Sequence, residues 1–65
     1  MSFLIRNTHD WCLYVEEWHK DDVSLVSARH AHKFRSRENA ETIAQKLNDA
    51  FGKGRYQVVD KDEVI

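Results

Sequence analysis

Sixty-five residues, 42% of them apolar and 32% charged, with a formal net charge of −1, allow one small domain and no second. A deep, water-excluding pocket is hard to build at that size, so most enzymes are excluded and a non-enzymatic protein is expected. The lone Cys12 rules out an intrachain disulfide, no run of about 18 apolar residues could span a membrane, and Arg6, His9 and Asp10 break the apolar start that a signal peptide needs. The expectation is a small cytoplasmic domain over residues 1–65.

In chain order, residues 2–6 and 11–17 predict two strands. Phe3 and Ile5 alternate with Leu4 and Arg6, and Trp11, Leu13 and Val15 alternate with Cys12, Tyr14 and Glu16. Asn7, Thr8, His9 and Asp10 between them are turn formers, which points to an antiparallel hairpin. His19 to Asp22 make a second polar turn, and a shorter strand is expected over Val23 to Ser27. Ala28 to Phe34 admits two readings. Ala31 and Phe34, three apart, fit one helical turn, which is preferred; an alternating strand would put Ala28, His30, His32 and Phe34 on one side.

The helix carries the plainest signal. Ala40, Ile43, Ala44, Leu47 and Phe51 line one helical face, Ser36 is a natural N-cap, and Glu38 and Glu41 lie toward the positive end of the macrodipole. Gly52 supplies a residue that commonly ends a helix, so the helix is expected over about residues 37–51. Arg55 to Asp60, with Tyr56, Val58 and Val59, suits a closing strand. The fold class is α+β: a small antiparallel sheet with one helix packed on one face, in the order β-β-β-α-β.

Alternation assigns the faces of that sheet. Trp11, Leu13 and Val15 are expected under the helix with Phe3, Ile5, Val23, Leu25, Tyr56 and Val58. Leu4, Cys12, Tyr14, Trp18, Val26 and Val59 then fall on the opposite face, which would be more apolar than a small monomer leaves wet. Leu4, Tyr14, Trp18, Val26 and Val59 are therefore the expected partner-binding residues, for a two-fold homodimer or for a target protein.

Charge is unevenly placed. Residues 1–26 hold two basic and five acidic side chains, whereas residues 27–56 hold seven basic and three acidic ones. Arg29, Lys33, Arg35 and Arg37 in that basic stretch are the candidates for a nucleic-acid-binding module, the alternative function. The acidic groups Glu16, Glu17, Asp21 and Asp22, with Asp60, Asp62 and Glu63, could imitate phosphates toward a nucleic-acid-binding protein. His30 and His32, with His9 and Cys12, are residue types that zinc accepts, but they lack the Cys-x-x-Cys or His-x3-His spacing of a zinc site, so no metal and no cofactor is expected. Cys12 has no helix N-terminus or glycine-framed loop to activate it, and no glycine-rich phosphate loop precedes a helix.

The run from Ala31 through Phe34, Ser36, Ala40 and Ile43 to Leu47, followed by Tyr56-Gln-Val-Val59, resembles a pattern common in small phage and prophage proteins. There an opening hairpin leads to an Ala-x-x-Phe step, a helix and a last strand. The resemblance implies a phage-type accessory protein that works by binding another protein. Such a partner includes host factors and defence systems such as CRISPR effectors.

Overall fold

The helix begins where the sequence supplies a cap. Ser36 is extended, and its Oγ accepts from the Asn39 N–H at 3.3 Å, which satisfies one of the free donors of the first turn. Helix α1 then runs Arg37–Phe51, as the periodicity predicts, with Ala40, Ala44 and Leu47 buried. Gly52 ends it at a φ of 136°, its N–H bonded to the Asn48 carbonyl at 2.9 Å. A Cβ at Gly52 would lie 2.8 Å from the Arg55 side chain, on a backbone conformation that L residues rarely adopt.

The computed structural model describes residues 2–64. Its strands are β1 (Phe3–Asn7), β2 (Tyr14–Trp18), β3 (Val23–Val26) and β4 (Tyr56–Asp60). They form one sheet in the order β3-β2-β1-β4, and every neighbouring pair is antiparallel. The chain is therefore α+β with the expected order of elements. Among the described residues, no helix is long and apolar enough to cross a membrane.

β1 pairs with β4 along its full length, from Phe3 opposite Asp60 to Asn7 opposite Tyr56. With β2 its register is a single pair, Arg6 opposite Tyr14. The gap is filled by the connection that follows β3. After a 3-10 turn at Ala28–His30, the His32 N–H donates to the Val15 carbonyl at 3.1 Å. Phe34 then exchanges both backbone hydrogen bonds with Phe3, at 2.8 and 2.9 Å. The helical turn therefore lies at Ala28–His30 and not between Ala31 and Phe34, where the chain is extended and wedged between β1 and β2; nor do Ala28 and Phe34 share a side, since they pack on opposite faces of the sheet.

Two cores sit on the two faces of this sheet. Under α1 lie Ile5, Val15, Phe34, Ala40, Ala44, Leu47 and Tyr56, with Phe3, Trp18, Val23, Leu25, Ile43, Phe51 and Val58 packed around them. On the other face, Leu4, Tyr14, Ala31 and Val59 form a second core, with Val26, Ala28 and Val64 against it. The expectation of a wet apolar face is corrected here: Leu4, Tyr14 and Val59 are buried by their own chain. Two short turns make the cover. Ala31, small enough to let the backbone approach, caps one part, and a 3-10 turn at Lys61–Glu63, tied by Lys61 N–H to the Ser2 carbonyl, brings Val64 over another.

Four side chains depart from the expected alternation. Trp18 packs in the helix-side core, because β2 carries a bulge between Val15 and Glu17. One extra residue in a strand moves every later side chain to the other face. Trp11 and Cys12 lie in the β1–β2 turn, where the sequence pattern placed a strand; Trp11 is exposed, not under the helix, and Leu13 is outside the helix-side core.

One polar side chain joins helix to sheet. The Asn48 carboxamide donates to the Tyr56 carbonyl at 3.1 Å and accepts from the Tyr56 N–H at 2.8 Å, standing in for a neighbouring strand at the start of β4. Asn48→Ala leaves both backbone groups without a protein partner in a half-buried site. The expected cost is about 2 kcal/mol, or a fall of roughly 8–16 °C in the thermal midpoint followed by circular dichroism. An unchanged midpoint would mean that water replaces the amide at no cost.

Candidate interaction site

The β1–β2 turn is built by side chains at its two ends. Buried Asn7 accepts through Oδ1 from the N–H groups of His9 at 2.7 Å and Asp10 at 3.2 Å. Asp10 accepts in turn from the Cys12 N–H at 3.0 Å, and Leu13 N–H returns to the Asp10 carbonyl. Short polar side chains compete in this way with strand pairing, which is why the turn runs on past Asp10. Thr8 moors the turn sideways: its N–H donates to the Arg55 carbonyl at 2.8 Å and its hydroxyl to the Gly54 carbonyl.

At the apex of this moored turn stands Trp11, 60% exposed and the one large hydrophobic side chain left so open among the described residues. The Arg6 guanidinium lies 4.6 Å from the Trp11 ring centroid and 5.7 Å from that of Tyr14. Arg6 Nε is buried with no hydrogen-bond partner among the described residues, and contact with two aromatic faces offsets part of its desolvation. The cation in turn holds the indole in place. A rigid indole on a fixed loop, with an arginine beside it, can seat in a pocket of another molecule without first being ordered.

A second aromatic cluster lies beyond β2. His32 meets Trp18 edge-on at 5.3 Å and Phe34 at 4.5 Å, while Trp18 and Phe34 stack at 5.6 Å. Open depressions flank Trp18, one with Glu16, Glu17, His19 and His32, the other with Lys20, Lys46, Ala50 and Phe51. The role of His32 here is packing. His9 and Cys12 sit in the β1–β2 turn and His30 and His32 after β3; among the described residues no three His, Cys, Asp or Glu side chains converge as a metal would need.

Of the residues expected to meet a partner, Leu4, Tyr14 and Val59 are interior, Val26 is half-buried beside them, and Trp18 is on the helix side. Arg29, Lys33, Arg35 and Arg37 are all exposed. Arg29 lies in the turn after β3, Lys33 and Arg35 flank Phe34, and the Arg37 guanidinium lies 5.3 Å over the Phe3 ring. Phe3 is bonded to Phe34 on one side and opposite Asp60 on the other, so this end of the sheet carries both the basic run and the acid-rich Asp60–Glu63. Trp11 is among the residues that periodicity misassigned; the signal that could have found it is Asp10, whose side chain extends the turn by two residues.

No protein-family model, no curated protein and no solved structure matches the chain.

Proposed function

We propose that this is a non-enzymatic binding protein of the phage accessory type, which docks on another protein through the Trp11 face. A host factor, such as a component of a defence system, is the class of partner that the sequence resemblance implies. One observation carries the reading: a large aromatic side chain is held open to solvent on a loop whose polar side chains are spent on fixing it. Tryptophan and arginine are the residues most enriched among energetically dominant interface contacts. Burying on the order of 150 Å² of indole gains roughly 4 kcal/mol gross, a feasible anchor before association costs are counted.

The test is retention of a protein from nuclease-treated bacterial lysate by the immobilised chain. Trp11→Ala is expected to lower the affinity by about 30-fold, the scale of a dominant contact. Its stability should fall by no more than about 1 kcal/mol, the scale of an exposed cation–π contact. Retention that vanishes with nuclease, or that ignores Trp11→Ala, would overturn the reading.

A further inference from the structure

We propose that Arg6 is an anion-binding point of the Trp11 face, and that the protein docked there lays a single aspartate or glutamate carboxylate against it. The proposal rests on the docking reading above and adds the chemistry of the partner's surface.

The Arg6 guanidinium is held in place but not satisfied. It lies against Trp11 and Tyr14, 4.6 and 5.7 Å from the ring centroids. Among the described residues it has no carboxylate within ion-pair distance, and Nε is buried without an acceptor. Nη1 and Nη2 are not closed off in that way, and Arg6 as a whole is half-buried. A guanidinium carries five N–H donors in a rigid fork, and contact with ring faces uses none of them. Other arginines are placed differently. Arg55 donates to the Phe51 carbonyl at 3.1 Å, and Arg37, over the Phe3 ring, is exposed to water.

Charge complementarity names the occupant. A partly desolvated cation is stabilised most by an oxyanion that takes two of its N–H groups at once, and the Nη pair is the part of Arg6 left open for that. The surroundings favour one carboxylate over a phosphate chain. Arg6 is the one lysine or arginine between Phe3 and Trp18, a stretch that also holds Asp10, Glu16 and Glu17. Its cross-strand neighbours, Tyr14 on β2 and Gln57 on β4, are uncharged side chains. A nucleic acid needs several cations in a row, whereas one side-chain carboxylate needs one.

The position of Arg6 beside Trp11 sets where that carboxylate stands. The indole is the projecting element, so the partner supplies the concave wall, and a group that reaches Arg6 belongs to the rim of the same hollow. Seating the indole excludes water from the guanidinium, and an ion pair strengthens as water leaves it. The two contacts therefore support each other. Asp10, the nearest acid in the turn, does not pair with Arg6; its Oδ1 accepts from the Cys12 N–H.

Two measurements on the full chain test this. In the first, sodium acetate is titrated against sodium chloride at neutral pH and constant ionic strength, and the arginine Cζ carbon signals are followed by NMR. Arg6 should respond at an acetate concentration about tenfold lower than the exposed Arg29, Arg35 and Arg37. An Arg6 response no stronger than theirs overturns the proposal. In the second, retention of protein from nuclease-treated lysate is compared for the wild type, Arg6→Met and Trp11→Ala at about 50 and about 500 mM salt. Arg6→Met keeps an apolar stem against the rings and should bind about tenfold more weakly at low salt. Wild-type affinity should fall by about threefold at high salt and that of Arg6→Met should not, a difference that mere positioning of Trp11 would not produce. Retention that needs Trp11 but is unchanged by Arg6→Met, or equally salt-sensitive in it, overturns the carboxylate and leaves the docking face standing. Retention lost after phosphatase treatment overturns it in favour of a phosphorylated partner. Retention that ignores Trp11→Ala overturns both readings together.

Discussion

Val15→Asp should leave the chain unfolded at room temperature, with no cooperative transition in a circular dichroism melt. Val15 is 0% exposed and packs among apolar side chains beneath α1. Its carbonyl also receives the His32 N–H, so the strand cannot easily shift to bring the side chain out. An aspartate there must either keep a charge in apolar surroundings or take up a proton, and both routes cost several kcal/mol. A domain of this length is stabilised by about 3–10 kcal/mol in total. The two magnitudes are comparable, and the variant has nothing in reserve. Val15→Ala keeps the site apolar and should still melt cooperatively, at a lower temperature. A cooperative melt of Val15→Asp near the wild-type midpoint would take Val15 out of the interior.

The parts of this fold that were legible are those where local chemistry and tertiary packing agree. Ser36, the Ala40–Leu47 face and Gly52 mark α1 from within, and the helix occupies the residues they delimit. Alternation likewise places Phe3, Ile5, Val15, Val23, Leu25, Tyr56 and Val58 on the helix side. Two of the failures share one physical form, a single residue that breaks the period of two. Glu16 and Glu17 are both polar and exposed, so nothing local shows that β2 holds one residue too many; yet that bulge decides the face of Trp18. Asp10 acts similarly through one hydrogen bond to the Cys12 N–H, which keeps Trp11 out of the strand and in solvent. The cover of the second face comes from residues 28–31 and 61–64, far apart in the chain and without an apolar period of their own. Short covering turns leave little trace in a pattern of hydrophobic spacing, so alternation alone makes a face that the chain itself fills look open.

Leu4→Ala should destabilise the chain about as much as Ile5→Ala, by roughly 2–5 kcal/mol each, measured as shifts in urea unfolding at unchanged slope. The two residues are adjacent in β1 and so point to opposite faces of the sheet. Ile5 faces α1 and is 0% exposed; Leu4 faces away from it and is 1% exposed, among Tyr14, Ala31 and Val59. Had the sheet been covered on one side only, Leu4 would be a solvent-facing side chain, and its truncation would stay within about 0.5 kcal/mol. The comparison therefore separates a two-core domain from a one-sided sheet without reference to any partner. A large cost for Ile5→Ala beside a negligible one for Leu4→Ala would remove the second core and reopen that face to a partner. Equal costs make the face interior, and leave the proposed docking to the exposed Trp11 turn.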